Sequence, residues 1–118
     1  MLTTKLDTIV GGVTGGQAAV LMDFDGIPID VYGHNDETDA ETLGMELSVV
    51  LKEIRKVAQQ LEAGATEEVT VRTERFTTVV RIIDDNYFLA LALTPEGNLG
   101  KARYLLRLYA PKLREELL

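Results

Sequence analysis

The residues best able to do chemistry in this 118-residue chain are Asp23 and Asp25, in the run Asp23-Phe24-Asp25-Gly26 that follows an apolar segment. Two carboxylates two positions apart at the end of a strand can serve as a phosphoryl-attacking nucleophile and its acid/base partner. Against that reading, Ile27 stands where such a site needs a hydroxyl residue, and the chain leaves little room for the lysine and magnesium carboxylates of a doubly wound phosphatase. An Asp-Gly pair between two apolar runs is also a hairpin turn signal, and the hairpin is the stronger reading. A calcium loop fails because no further oxygen ligands and no closing glutamate follow at the required spacing. Gly11-Gly12-Val13-Thr14-Gly15-Gly16-Gln17 has the glycines of a phosphate loop, but it precedes a strand and lacks the lysine. His34 is the single histidine and sits in a polar loop with no partner motif. With no cysteine there is neither a disulfide framework nor a thiolate metal site, so no catalytic, cofactor-binding or metal-ligating residue is assigned.

The composition narrows the partners. A formal charge of −7 disfavours non-specific nucleic-acid binding and attraction to anionic lipid. No stretch reaches the roughly 18 apolar residues of a membrane span, and the N-terminus has no secretory pattern, so a single cytoplasmic domain over 1–118 is expected. Within the acidic chain, Lys101, Arg103, Arg107, Lys112 and Arg114 gather positive charge near the C-terminus. They read either as a solvated helix face or as a docking surface for an acidic partner.

The elements that would position these residues follow from periodicity. Leu2, Leu6, Ile9, Val10 and Val13 have helical spacing before Gly15 and Gly16. Residues 17–24 and 27–32 read as paired strands, the second at a sheet edge because Pro28 cannot donate to a ladder. A long helix follows, with Leu43, Leu47, Val50, Leu51, Ile54, Val57, Ala58 and Leu61 as its inward face, Thr38 or Asp39 as its cap and Gly64 as its stop. Residues 67–73, 76–83 and 87–94 make a three-stranded meander, with Asp84-Asp85-Asn86 turning between the last two. A final helix places Leu99, Ala102, Leu106, Tyr109 and Leu113 on one face, with a kink expected at Pro111.

Unbroken apolar runs at 18–22 and 88–93 belong in central strands covered on both faces. The alternating run 67–73 sets Val69 and Val71 opposite Thr70 and Arg72, as an edge strand does. The expected fold is an α/β (α+β) sandwich, a five-stranded mainly antiparallel sheet with helices on both faces in the order α-β-β-α-β-β-β-α. Met45, Ser48, Val49 and the stem of Lys52 form a second stripe on the long helix, roughly opposite its inward face. That stripe is either scattered surface or a second contact, and pairing the exposed edge strand about a two-fold axis would remove an unsatisfied edge.

In their order and spacing, three segments resemble the Roadblock family of dynein light chains and its bacterial MglB-like branch. They are Ala19-Val20-Leu21-Met22-Asp23-Phe24-Asp25-Gly26-Ile27-Pro28-Ile29, the long helix, and Leu91-Ala92-Leu93-Thr94-Pro95-Glu96-Gly97-Asn98-Leu99-Gly100-Lys101-Ala102-Arg103. The resemblance implies a Roadblock/profilin-like sandwich that dimerises with itself or a paralogue by joining edge strands and laying the central helices side by side. It further implies a non-enzymatic module that binds a small Ras-like GTPase and modulates its nucleotide cycle, as a GAP-like factor or an effector. Val69, Val71 and Thr73 are the implied dimer edge, and Glu41, Met45, Ser48, Val49 and Lys52 the implied partner-binding helix surface. The alternatives are a structural adaptor insensitive to nucleotide state and the phosphatase centred on Asp23 and Asp25.

Overall fold

The computed structural model describes residues 2–33 and 39–118, so His34 and the alternative cap Thr38 lie outside the described residues. The elements run α1 (Leu2–Gly11), β1 (Gly16–Asp23), β2 (Pro28–Tyr32), α2 (Ala40–Gln60), β3 (Glu68–Arg72), β4 (Thr77–Ile82), β5 (Tyr87–Leu93) and α3 (Leu99–Leu117). The strands form one antiparallel sheet in the order β2-β1-β5-β4-β3. This is the architecture the periodicities predict, with the two runs read as edges at the two edges. Pro28 opens β2 opposite Met22, next to an irregularity in the β1 register, where its missing N–H costs no inner ladder bond.

Strand alternation splits the apolar side chains into two cores. Ala19, Leu21, Val79, Leu89, Leu91 and Leu93 face α1 and α3, where Leu6, Ile9, Ala102, Leu105, Leu106 and Leu113 meet them. Ala18, Val20, Met22, Val80, Phe88 and Ala90 point the other way, toward Ala40, Leu47 and Leu51 of α2. The central strand β5 feeds both cores, which is why its sequence is apolar at every position.

Local chemistry sets the ends of α2. Asp39 accepts from the Thr42 backbone N–H at 3.2 Å and from the Thr42 hydroxyl at 2.8 Å, and these bonds hold its carboxyl below the usual range. Gly44 lets the helix approach β1, because a Cβ there would lie 2.8 Å from the Met22 methyl. The helix ends at Gln60 with Leu61 as cap, short of the stop expected at Gly64, and Glu62 (φ 54) and Gly64 (φ 87) turn the chain into β3. α3 is one helix through Pro111, where the sequence predicts a kink, and its buried face includes Leu105. No described helix is long and apolar enough to cross a membrane.

The inward face of α2 differs from the expected one. Val50, Val57 and Leu61, which the spacing places inward, are 51%, 51% and 73% exposed, whereas Leu47 and Leu51 are buried. At about 100° per residue, Val50 and Val57 lie some 100–120° around the helix from Leu51, on a flank that their own sheet does not reach. Helical spacing identifies an apolar arc, and this arc is wider than one sheet can cover.

Candidate functional site

Asp23 and Asp25 both serve the turn between β1 and β2. One carboxylate oxygen of Asp23 accepts from the backbone N–H groups of Asp25 and Ile27, each at 2.9 Å, while Gly26 (φ 84) supplies the left-handed position. Asp25 pairs with Lys52 of α2 at 3.2 Å at the surface. The carboxylates thus close the β1–β2 hairpin and tie it to α2, and no group of His, Asp and Glu that could hold a metal occurs among the described residues. The glycine run 11–16 leads from α1 into β1, and with no helix opening after it the run has no phosphate-loop geometry.

Next to this turn, α2 presents Glu41, Met45, Val49 and Lys52 to solvent. Ser48 is not among them: it is 4% exposed, donates its hydroxyl to the Met45 carbonyl at 2.6 Å, and lies under the turn near Gly26. A hydroxyl that bonds to its own helix backbone can be buried, so residue polarity is a misleading guide to which way Ser48 points.

The opposite flank of α2 is the larger apolar feature, and its helical spacing alone would assign it to the core. Val50, Glu53, Ile54, Val57, Ala58, Leu61 and Ala63 line an open groove of about 400 Å³. Val69 and Val71 of β3 stand opposite Val80 and Thr78, on the sheet face that carries α2. Val69 is partly buried against that core and Val71 is 40% exposed. β3 pairs with β4 on one side and with no strand among the described residues on the other. Thr73 lies past the strand, where its N–H and hydroxyl both donate to the Phe76 carbonyl, at 3.0 and 2.7 Å. Val69 and Val71 therefore belong to the open edge, and Thr73 belongs to the turn that ends it. An unpaired edge and an uncovered apolar flank share one side of the sheet.

The other side of β3 is charged. Glu68 receives two hydrogen bonds from Arg103 of α3, at 2.5 and 2.9 Å, and this pairing holds the Glu68 carboxyl below its usual range. Toward the C-terminal end of α2, Arg55 lies 4.1 Å over the Phe24 ring and donates to the Asp85 carbonyl at 3.3 Å, linking the β1–β2 and β4–β5 turns. These long-range contacts have no sequence signal, because their members lie 35, 31 and 30 positions apart.

Residues 4–93 match the family model described as the Roadblock/LC7 domain. Among solved structures, MglC from Myxococcus xanthus is 40% identical over 96% of this chain and 96% of that one, with a TM-score of 0.68. A Roadblock/LC7 domain from Streptomyces avermitilis superposes with a TM-score of 0.87 at 19% identity, covering 98% of this chain and 96% of that one. The gliding protein MglB from Thermus thermophilus gives 0.84 at 18% identity, covering 95% and 84%. At these lower identities the last two likenesses speak for the fold alone. A search of curated proteins found no match.

Proposed function

We propose, from the premise that this chain belongs to the Roadblock/LC7 domain family, that it acts as a dimeric cytoplasmic module that binds a small Ras-like GTPase and modulates its nucleotide cycle. The observation that carries the dimer is the shared placement of the open β3 edge and the bare Val50–Val57–Leu61 flank on one side of the sheet. A two-fold operation joining two β3 edges pairs their free backbone groups and brings the flanks of two α2 helices together. Covering Val50, Val57, Leu61 and Val71, which are between 40% and 73% exposed in one chain, contributes about 1 kcal/mol per side chain, or about 8 kcal/mol across two copies. Association costs on the order of 4–15 kcal/mol in lost freedom, so the apolar flank needs the joined edges as well. The resulting surface is composite, which suits recognition of a protein rather than a small molecule.

Glu41, Met45, Val49 and Lys52 are the partner-facing residues in this reading, with Ser48 holding the backbone beneath them. The β1–β2 turn borders this surface through the Lys52–Asp25 pair. The test is binding of the full chain to GDP-loaded and GTP-loaded Ras-like GTPase, with hydrolysis followed in parallel. A preference for one nucleotide state, lost in Met45→Glu/Val49→Glu, supports the reading. Equal binding to both states makes the chain a structural adaptor, and no binding rules the GTPase out as its partner.

A further inference from the structure

The basic run of α3 takes no part in the function proposed above, and the structure gives it a partner element that the sequence does not show. Where α3 crosses the β3–β4 end of the sheet, Glu68, Arg81, Gly100, Arg103, Tyr104 and Arg107 line a small cleft of about 140 Å³. Arg103 is committed to Glu68. Arg81 and Arg107 are close enough to help lower the Glu68 carboxyl, yet among the described residues neither makes a hydrogen bond or ion pair of its own. One carboxylate therefore faces three guanidinium groups, leaving two positive charges and most of their donors uncommitted on a chain of net charge −7. Guanidinium forks match carboxylate geometry, as the Arg103–Glu68 pair already shows in this cleft.

Size and surroundings narrow the ligand. Small-molecule sites usually enclose about 300–1,000 Å³, so a cleft of this size takes one anionic side chain and does not engulf a nucleotide. Beside the arginines, Tyr104 and Leu108 are 48% and 41% exposed one helical turn apart, parallel to Arg103 and Arg107. A free inorganic anion has no use for that apolar strip, whereas a polypeptide alternating acidic and apolar residues covers both rows. The overall negative charge opposes a nucleic-acid backbone. We infer that the α3–β4 cleft is a docking site for an acidic, partly apolar polypeptide segment, whose carboxylate is received by Arg81 and Arg107 while its apolar side chains lie on Tyr104 and Leu108. The site is on the side of the sheet away from α2, so its occupancy leaves the proposed GTPase surface free.

The test uses the full-length chain against an array of dodecapeptides in which Glu and Leu positions are permuted, followed by fluorescence anisotropy on the strongest binders. Each binder is compared with its Glu→Gln and Glu→phosphoserine counterparts. Saturable binding is expected for Glu peptides and not for Gln peptides, weakened about tenfold or more in Arg81→Gln/Arg107→Gln. Lys101→Gln/Lys112→Gln removes the same charge from α3 outside the cleft and is expected to change binding less than about twofold, since exposed charges are screened. Circular dichroism melts of both variants check that each is folded before binding is compared. The inference is overturned if no acidic peptide binds saturably, if both double variants lose binding equally, or if phosphoserine or Gln peptides bind as well as or better than Glu peptides.

Discussion

The two sides of the sheet are finished to different degrees. On one side two helices, α1 and α3, close over Leu21, Val79, Leu89, Leu91 and Leu93, and the core there is complete within one chain. On the other a single helix covers the β1–β5 centre, while its own flank and Val71 remain exposed. The closed side carries the basic residues of α3 beside a short exposed strip of Tyr104 and Leu108, and the open side has apolar residues beside free backbone groups. Stability is concentrated on the first side, and the proposed assembly on the second.

Breaking the closed side is expected to cost most. Leu91→Ala removes a fully buried side chain from the middle of β5 and should lower the unfolding free energy by about 3 kcal/mol in urea melts. Val57→Asp on the open side should leave the monomer fold intact by circular dichroism and halve the solution mass, because Val57 is half exposed within its own chain. Asn98→Ala removes the side-chain acceptor for the Lys101 N–H at the start of α3 and should cost about 1 kcal/mol in the same melts.

The smallest effect is the pH dependence of the pairing between β3 and α3. Arg103 stabilises the charged form of Glu68, so the folded carboxyl titrates below its ordinary 4.5. The unfolded chain takes up that proton first as pH falls, so the pair's contribution is complete above about pH 4.5 and fades as pH drops through the lower folded value. Wild type and Glu68→Gln should differ in stability at pH 7 and converge as the pH falls below the lowered value of the folded carboxyl. An NMR titration of Glu68 should move back toward the ordinary range in Arg103→Gln.

Local chemistry made most of the fold legible. Pro28 marks an edge, the unbroken 88–93 run a centre, Thr38 or Asp39 a cap, which the structure gives to Asp39, and Asp84 a turn, where its carboxylate accepts from the Asn86 and Tyr87 N–H groups. Features set by what lies across the fold were not legible. Val50, Val57 and Leu61 share helical spacing with Leu47 and Leu51, and only the width of the sheet beneath decides which are covered. The polarity of Ser48 points outward, although its hydroxyl is satisfied by its own helix. The α3–β4 cleft joins Glu68 and Arg81 to residues of α3, and no local pattern links such distant positions. The basic run on α3 is visible in the sequence, but the carboxylate and third guanidinium facing it are not.

The open side of the sheet, on this reading, is completed by a second copy of the same fold. Light scattering on the wild-type chain and on Val71→Asp tests that claim most directly, since the substitution puts a charge on the exposed β3 edge without touching the closed core. The expected result is a wild-type dimer that Val71→Asp shifts to monomer. A wild-type chain that stays monomeric at high concentration, or a dimer indifferent to both Val71→Asp and Val57→Asp, would contradict it.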